Sequence, residues 1–598
     1  SVLQALFLLR VHASSLLILP MNARPNPTTF IAFAVVTIAL ATTSFAQSKS
    51  YSKGTVNVTP ANVARTAPGT PPTISQISGT AVVNITAPNV IVTTMTGGTL
   101  NVGAAGGTAS TVPVTIGTAN GGRLRVNKTG DLTVSAVGST AAKSLNVAGG
   151  SLNLQAALTV NGTLTMSGGS IAGSSVSATR FSLSAGTIDA DLLGTGALTK
   201  TGAGTLTLNG AANNYTGATT VSAGTMVIGS AGGLPSGQAL TVNGGTLDLG
   251  GTSASLTTVT VSRGAISNGD ISASSTYSVT GGTINANLGG AAALTKTGAG
   301  KAILTGANNY SGTTTVSAGT LEVSASSLPS NVLNNGVLTF NQSTSETYSA
   351  VINGRGRLTK IGDGTLTLTG ANVYTGGTTI SGGTLAVSDG TLPLPSGRTT
   401  IVNNATLSFD HSDTDGDAVV FAAPISGRGN FVKTGPGAVA LSGANTYTGG
   451  TTVADGVLAG TPRSLRGAIL NNGIVVFDTS SLSGTQSGAI TGTGSLIKQG
   501  NGTLTLTGAN SYAGGTTVDG GTLSGSSTSL QGDIAAISGV VQFNQTAAGT
   551  YAGNISGVGS LIKLGAGALT LTGTNTYSGG TTVTAGTLQG NSSNLQGT

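Results

Sequence analysis

The sequence predicts an all-β fold in which short strands and glycine-rich corners wind into a parallel β-helix. One segment pattern recurs six times along the 598 residues, and such an internal repeat is typical of stacked, solenoid-like architectures. Glycine contributes 96 residues, about twice its usual share. Apolar and polar residues alternate over short runs, as in TLTLT at residues 365–369, which is the pattern of a strand with one buried face.

The composition favours a slim aliphatic interior over the other all-β designs. Only 7% of the residues are charged and 4% are aromatic, and tryptophan is absent. A β-propeller needs four longer antiparallel strands per blade, usually with aromatic anchors, whereas a β-helix needs short strands and tight corners. Disorder is a poor fit, because disordered chains are usually rich in charge and poor in β-branched residues.

The formal net charge of +7 does not indicate a nucleic-acid partner. The 24 basic and 17 acidic residues are spread thinly along the chain, whereas nucleic-acid binding needs a concentrated basic stripe, often with stacking aromatic rings. Cysteine is absent, which fits an exported chain that avoids disulfides and stray thiols. We therefore expect no nucleic acid among the partners.

Residues 21–46 have the features of a secretory signal peptide. A short region charged by Arg24 precedes the apolar run 30–41, and Ser44 and Ala46 are the small residues that a signal peptidase requires. We expect cleavage between Ala46 and Gln47. The run is short for a bilayer span, and a single membrane anchor is the alternative. Residues 1–20 precede Met21, and we interpret them as upstream translation or as part of an extended leader.

The six recurring segments share the pattern G-x-G-x-L-x-K-x-G-x-G-x-L-x-L-x-G-A-N-x-Y-x-G-G-T-T-V-x-x-G-T-L. They cover residues 198–226, 294–321, 358–385, 431–458, 496–523 and 561–588. Their lysines advance by 96, 64, 73, 65 and 65 residues, while the offset from lysine to tyrosine is 15 in the first copy and 14 in the others. A nearly constant offset inside a variable spacing indicates a fixed unit with insertions tolerated between units.

The spacing predicts how the units wind. A period of about 65 residues corresponds to three coils of about 20 residues each, and the chain without its leader gives a rod on the order of 100 Å at ~4.8 Å per coil. We expect residues 191–598 to form the regular β-helix of six units. Residues 47–190 lack the full unit but keep similar turns, so we interpret them as irregular N-terminal β-helix coils.

The unit at residues 500–518 (GNGTLTLTGANSYAGGTTV) resembles the autotransporter-associated β-strand repeat of bacterial passenger regions. The resemblance covers residues 191–598. It implies a right-handed parallel β-helix, export through the general secretory route, and display at or release from the outer surface. We find no segment with the pattern of a translocating barrel. We therefore expect a passenger that is truncated at its C-terminus, with membrane attachment only through a missing barrel or another anchor.

The repeated lysines are one candidate ligand face. We expect them to form a line along the rod, about 14 Å apart, which would suit an anionic polymer. The alternative, which we favour, is a row of solvated side chains that keeps strand edges soluble. The set comprises Lys200, Lys296, Lys360, Lys433, Lys498 and Lys563.

The repeated asparagines and tyrosines are a second candidate, because tyrosine offers a glycan a flat ring with a polar tip. The alternative is structural, since asparagine tolerates left-handed corners and can bond its own backbone. Examples are Asn445 with Tyr447, Asn510 with Tyr512, and Asn575 with Tyr577.

The acidic segment 410–417 (DHSDTDGD) is the most distinctive local feature. Asp413, Asp415 and Asp417 supply the hard oxygens that calcium prefers. The position of Gly416 and the lack of a following glutamate depart from known calcium loops, so a solvated insertion loop is the favoured alternative. No other cofactor is expected.

Catalytic residues are hard to find. His411 is the only histidine after the leader, and no His/Cys cluster has metal-ligand spacing. Asp410 and Asp413 with Arg428 are the one combination that resembles a β-helical polysaccharide lyase or hydrolase. We expect a non-catalytic passenger, secreted or displayed on a bacterial surface, acting as an adhesin or stalk toward a glycan, a surface or itself. The alternatives are such a carbohydrate-active enzyme and a repeat segment of a larger filamentous surface protein.

Overall fold

The computed structural model describes residues 49–58, 72–78, 80–87, 90–95, 97–103, 112–119, 122–127, 130–134, 142–392, 400–414 and 417–595. The expected signal peptide with Ala46 and Gln47, the upstream residues 1–20, and Asp415 lie outside this part of the chain. Every element in the described part is a β-strand, and every strand pairing among the described residues is parallel. The all-β parallel β-helix predicted from the sequence is confirmed as a solenoid of about 24 turns, which at ~4.8 Å per turn is a rod of about 115 Å.

Most strands are short, and the exceptions are β10, β11 and above all β20, which continues through several corners. Strands β1–β14 are Lys49–Tyr51, Thr55–Val58, Thr73–Ile77, Val82–Ile85, Val90–Met95, Thr99–Val102, Val112–Ala119, Arg123–Val126, Gly130–Val134, Ser144–Leu154, Leu158–Gly173, Ser175–Leu183, Gly186–Ile188 and Asp191–Gly194. Strands β15–β30 are Ala197–Lys200, Thr205–Leu208, Asn214–Tyr215, Thr219–Val221, Thr225–Ile228, Ala239–Val279, Gly282–Ile284, Asn287–Gly289, Ala293–Lys296, Lys301–Leu304, Thr314–Val316, Thr320–Val323, Val332–Asn334, Val337–Asn341, Glu346–Tyr348 and Ile352–Asn353.

The later strands repeat similar lengths in each unit. Strands β31–β44 are Arg357–Ile361, Thr365–Leu368, Thr378–Ile380, Thr384–Ser388, Ile401–Asn403, Thr406–Asp410, Val419–Phe421, Ile425–Ser426, Asn430–Thr434, Ala438–Leu441, Thr451–Val453, Val457–Gly460, Ile469–Asn471 and Ile474–Asp478. Strands β45–β58 are Gly484–Gln486, Ile490–Thr491, Ser495–Gln499, Thr503–Leu506, Thr516–Asp519, Thr522–Gly525, Ile534–Ala536, Val540–Asn544, Gly549–Tyr551, Ile555–Ser556, Ser560–Leu564, Ala568–Leu571, Thr581–Val583 and Thr587–Gln589.

A coil has three sides. Strands β28, β29 and β30 follow one another, and the next strand, β31, returns to pair with β28. Strands β44, β45 and β46 make the same circuit before β47 pairs with β44. Strand β20 runs as one extended segment through consecutive coils, pairing with β18 and β19 before it and with β21, β22 and β23 after it.

The core is a narrow aliphatic column inside the coils. Alternation places Leu366 and Leu368 of β32 inside, while Thr365 and Thr367 face outward. Most buried side chains are Leu, Val and Ile, and each buried chain of this size contributes roughly 1.5–3 kcal/mol. Most of the described rings also lie inside, and several pack in pairs, for example Phe543 with Tyr551 at 5.0 Å between centroids. The low aromatic content therefore matches a narrow core that is enclosed by a single stack of coils.

In the later part of the chain, one repeat unit does not correspond to a whole number of coils. The lysine-bearing strand β39 stacks with β41, β43 and β46 on one side of the rod. The next lysine-bearing strand, β47, follows β46 directly and lies on the adjacent side. A unit thus takes three coils and one further strand. The same relation joins β23 to β31, β31 to β39 and β47 to β55.

The first two units behave differently. Their lysine-bearing strands, β15 and β23, belong to one continuous ladder through β18 and β20. The described parts of residues 49–190 wind in the same ladder system, since β12 pairs with both β14 and β15. The less regular N-terminal sequence therefore enters the same solenoid.

Candidate functional site

The repeated lysines lie inside the solenoid. Each follows an inward leucine or its equivalent by two residues, so the same alternation that buries the leucine buries the lysine. All six are 0% exposed. The corner that follows the strand turns its backbone carbonyls inward, and the ammonium sits among them. The residues are Lys200, Lys296, Lys360, Lys433, Lys498 and Lys563.

Each lysine Nζ donates three hydrogen bonds to backbone carbonyl oxygens. Two acceptors lie in the lysine's own corner and one in the corner of the next coil. For Lys200 they are Thr201, Gly202 and Ala223, each at 2.8 Å. For Lys498 they are Gln499, Gly500 and Gly520, at 3.2, 2.5 and 2.8 Å. An ammonium has three donors, so each one is fully satisfied.

The electrostatics follow from this burial. Desolvation lowers the pKa of the repeat lysines in five of the six units, namely Lys200, Lys296, Lys360, Lys433 and Lys498. The three carbonyl oxygens accept from the ammonium and compensate part of the lost hydration. The lysine is therefore a structural tie between successive corners.

The expectation of a lysine line was wrong in both of its forms. Neither a ligand face of Lys360, Lys433, Lys498 and Lys563 nor a row of solvated side chains exists, because these side chains point into the core. The line itself also fails, since each of these lysines lies one side further around the rod than the last. The L-x-K spacing was the signal that could have placed them inside.

The asparagine of the G-A-N corner connects three coils. The backbone N–H of Ile490 donates to Asn510 Oδ1 at 2.8 Å, and Asn510 Nδ2 donates to the Ser529 carbonyl at 2.6 Å. The same pair of bonds forms at Asn213, Asn308, Asn372, Asn445 and Asn575. These side chains are buried, so the role is structural. It differs from the expected one, because the bonds reach neighbouring coils and Asn268 is the only described non-glycine residue with positive φ.

The repeat tyrosines are buried as well. Each hydroxyl shares a hydrogen bond with the threonine four residues later, as in Tyr374 with Thr378 at 2.7 Å and Tyr512 with Thr516 at 2.6 Å. Burial raises the pKa of Tyr310 and of Tyr512 to about 12, and the threonine hydroxyl opposes part of that rise. A tyrosine ring inside the rod cannot stack on a glycan, so these residues form no glycan face and the structural alternative applies to them.

The acidic segment surrounds a buried histidine. His411 is 5% exposed, and its Nδ1 lies 2.5 Å from Asp389 Oδ2. Asp413 and Asp417 are exposed, and Asp410 accepts from the Thr434 hydroxyl at 2.9 Å. Across the described residues, no group of three or more His, Cys, Asp or Glu side chains is placed to hold a metal ion. The calcium prediction stays a prediction, since Asp415 lies outside that part.

The candidate catalytic combination is separated. Asp410 ends strand β36 and pairs in register with Thr434, whereas Arg428 lies before strand β39 begins. Strand β39 alone, from Asn430 to Thr434, separates the two positions by about 13 Å. The structure therefore does not bring Asp410 and Arg428 together as a lyase-like pair.

The buried lysines also change the meaning of the net charge. Setting six buried ammonium groups aside leaves 18 basic residues against 17 acidic ones in the whole sequence. The basic isoelectric point thus comes largely from the core. Within the described residues no helix is long and apolar enough to cross a bilayer.

Comparison with known proteins identifies the unit. The family model described as Passenger-associated-transport-repeat matches residues 198–228, 294–323, 358–387, 431–459, 496–524 and 561–589. Six segments of the chain therefore match the passenger-associated transport repeat. Their bounds agree with the six segments found in the sequence to within two residues. The resemblance to the autotransporter-associated repeat is confirmed.

A relative in Brucella suis biovar 1 (strain 1330) is named the adhesin BmaC autotransporter, and the two sequences are 31% identical where they align. The alignment covers 42% of this chain and 10% of the relative. The match therefore spans about a tenth of the length of that protein. No solved structure matches the chain.

Proposed function

We propose that this protein is a non-catalytic autotransporter-type passenger, a rigid β-helical stalk or adhesin that is secreted or displayed on a bacterial surface. The observation that carries the proposal is where the repeated chemical groups lie. Lysine, asparagine and tyrosine recur in every unit, and in every unit they bond the protein's own coils. The repeated polar groups therefore stabilise the rod itself.

The relative supports the adhesin form, since its name records adhesion and autotransport. The near-balance of charge outside the core argues against an anionic polymer held by a basic stripe. Partners in keeping with this surface are an uncharged glycan, another surface or a second copy of the chain. No cofactor enters the proposal.

The test is a binding screen on the purified protein. Its binding is measured on arrays of glycans and matrix proteins, on abiotic surfaces and on immobilised copies of the same protein. In a separate assay, acidic polysaccharides are incubated with the protein and tested for turnover. Retention on one class without turnover supports an adhesin, and no retention supports a stalk. Turnover that survives stringent purification contradicts the non-catalytic proposal.

Localisation needs its own measurement. Expressed with residues 1–48 intact in a Gram-negative host, the protein is expected outside the cytoplasm, with an N-terminus at Gln47. Protease shaving of whole cells and N-terminal sequencing check both points. Retention of the uncleaved chain in the cytoplasm would contradict the export proposal.

A further inference from the structure

One side of the rod carries two parallel rows of hydroxyl groups over nine successive coils. We call it the hydroxyl face. The first row is Thr165, Ser182, Thr199, Thr220, Thr241, Thr260, Ser278, Thr295 and Thr315. The second row lies two residues later, inside β11 and β20 for three members and directly after the end of a strand for the other six. It is Ser167, Ser184, Thr201, Ser222, Asn243, Ser262, Thr280, Thr297 and Ser317. Asn243 is the one position in the two rows without a hydroxyl.

The strand register gives the continuity of the first row, apart from the step from Thr241 to Thr260, which lies inside strand β20. Thr165 pairs with Ser182, Ser182 with Thr199, and Thr199 with Thr220. Further along, Thr220 pairs with Thr241, Ser278 with Thr295, and Thr295 with Thr315. Between them, the Thr280 N–H donates to the Val261 carbonyl, which places Thr260 beside Ser278.

The phase of the units explains where the face lies. The first two lysine-bearing strands share one ladder, so their outward residues stay on one side of the rod. From the second unit onward each unit moves one side around. Leu333 takes the next position of the first row, opposite Thr315, and it is 42% exposed. The hydroxyl face therefore ends at the coil where successive units begin to move around the rod.

These hydroxyls are free for an outside ligand. Every member of the first row is partly exposed. Among the two rows, only Thr165 has a side-chain hydrogen bond to the protein in the described structure, to the Leu145 carbonyl at 3.3 Å. Inward threonines such as Thr219 instead bond a tyrosine hydroxyl.

The chemistry of the rows limits the ligand. Neither row contains a charged residue, so an ionic polymer finds no counter-charge on them. Neither row contains an aromatic ring on which a sugar could stack. What the rows offer is a rigid, uncharged lattice in which each threonine presents a methyl group beside a hydroxyl that both donates and accepts.

We propose that the hydroxyl face binds the surface of ice. Its groups repeat at ~4.8 Å from coil to coil along the rod and at about 6.7 Å along the chain direction within each coil, two residues apart. Oxygen rows on the prism face of hexagonal ice repeat at similar spacings in two perpendicular directions. A lattice held by stacked coils meets that crystal surface with little ordering cost, because the strand backbone already fixes the threonine positions. The match extends over nine coils, which makes many weak contacts additive.

The test is ice-affinity partitioning of the purified protein, with microscopy of single ice crystals in its presence. We expect the protein to concentrate in the growing ice at least tenfold over a similar-sized β-helical protein that lacks hydroxyl rows, and to facet the crystals. Thr220→Arg and Thr295→Arg, each placing a large charged chain in the first row, should reduce the enrichment at least tenfold. The matched control is Thr505→Arg, an outward threonine on a strand of another side, which should bind as the parent does.

Several outcomes would overturn the proposal. They are no enrichment of the parent, equal loss in Thr220→Arg and Thr505→Arg, or retention on crystalline cellulose without ice affinity, which would assign the face to a neutral polysaccharide. Circular dichroism of each variant separates loss of binding from loss of fold. Failure here leaves the passenger proposal untouched, since that proposal is tested by export and by the wider binding screen.

Discussion

At the scale of the residue, the repeat is a set of polar groups that tie one corner to the next. A lysine in a hydrophobic column is costly unless its ammonium is fully bonded, and here three carbonyl oxygens surround it. The corners need such a donor, because tight turns leave inward carbonyls without partners. Lysine supplies three donors at the end of a long aliphatic stem that itself packs in the core.

Removing one such ammonium should weaken its corner. In Lys498→Met the stem is kept and the three donors are lost, which leaves the Gln499, Gly500 and Gly520 carbonyls unbonded. We expect a loss of about 2–3 kcal/mol in the opening free energy of the adjoining coils, measured by amide hydrogen exchange. Lys301→Met is the control, since this exposed lysine pairs only with Glu322 and should change less than 1 kcal/mol. Equal losses in Lys498→Met and Lys301→Met would contradict the role of the Lys498 ammonium in connecting successive corners.

The buried tyrosines predict the alkaline limit of the fold. Burial raises the pKa of Tyr310 and Tyr512 to about 12, above the ordinary value of 10.0. Above pH 10 the unfolded chain therefore releases protons that the folded chain retains, so stability is full below pH 10 and falls as the pH rises toward 12. Denaturation followed from pH 8 to 12 checks this, and Tyr512→Phe should flatten the fall near its unit. An unchanged slope in that variant would contradict the assignment.

Sequence reasoning located these residues and misjudged their direction. The alternation in Leu358-x-Lys360 already placed leucine and lysine on one face, but the general rule that lysine is seldom buried outweighed it. The bonds of Asn510 could not be predicted, because their partners lie 19 and 20 residues away and depend on how coils stack. The sequence alone therefore identified which residues recur, whereas their contacts depend on how the coils stack.

At the scale of the element, glycine sets how closely corners approach. Gly521 has φ of +61°, and a Cβ there would lie 2.3 Å from the Gly502 carbonyl oxygen and 2.7 Å from Lys498 Nζ. The short G-T-L strand that follows can start only because this corner lies directly on the one before it. The glycine richness seen in the sequence therefore has a specific cause at this position.

Gly521→Ala should be strongly destabilising, because it combines a left-handed backbone with a collision against backbone atoms. We expect a loss above about 3 kcal/mol, against about 1–2 kcal/mol for the left-handed conformation alone. Gly237→Ala is the control, with φ of +73° and nothing within 4 Å of the added Cβ. Urea denaturation of both variants gives the comparison. Similar losses would show that contact between corners is unimportant.

At the scale of the whole molecule, the repeat and the coil have different periods. The sequence predicted three coils per unit from its length, and the structure has three coils and one strand. The difference could not be read in advance, because corner lengths vary and only the pairing of β39 with β41, β43 and β46 counts the coils. One consequence is that outward features of successive units face different directions.

Deleting one unit in phase should shorten the rod without unfolding it. Removal of residues 434–498 joins Lys433 to Gln499, which takes the place of the equivalent Thr434. The deletion should shorten the maximum dimension by about 16 Å, as measured by small-angle X-ray scattering. The control deletion 434–488 joins two strands of the same side with no corner between them, and it should lose cooperative unfolding. Equal stability of the two deletions would contradict the assigned phase.

The burial of the repeat lysines is tested most directly by the rate at which each lysine of the folded protein is acetylated, followed by mass spectrometry. We expect Lys143 and Lys301, which are exposed, to react at once. The repeat lysines should be protected until the solenoid opens, and they are Lys200, Lys296, Lys360, Lys433, Lys498 and Lys563. Repeat lysines that react as fast as Lys301 would place them on the surface. That result would contradict the inward corner ties and restore a cationic line as the candidate binding face.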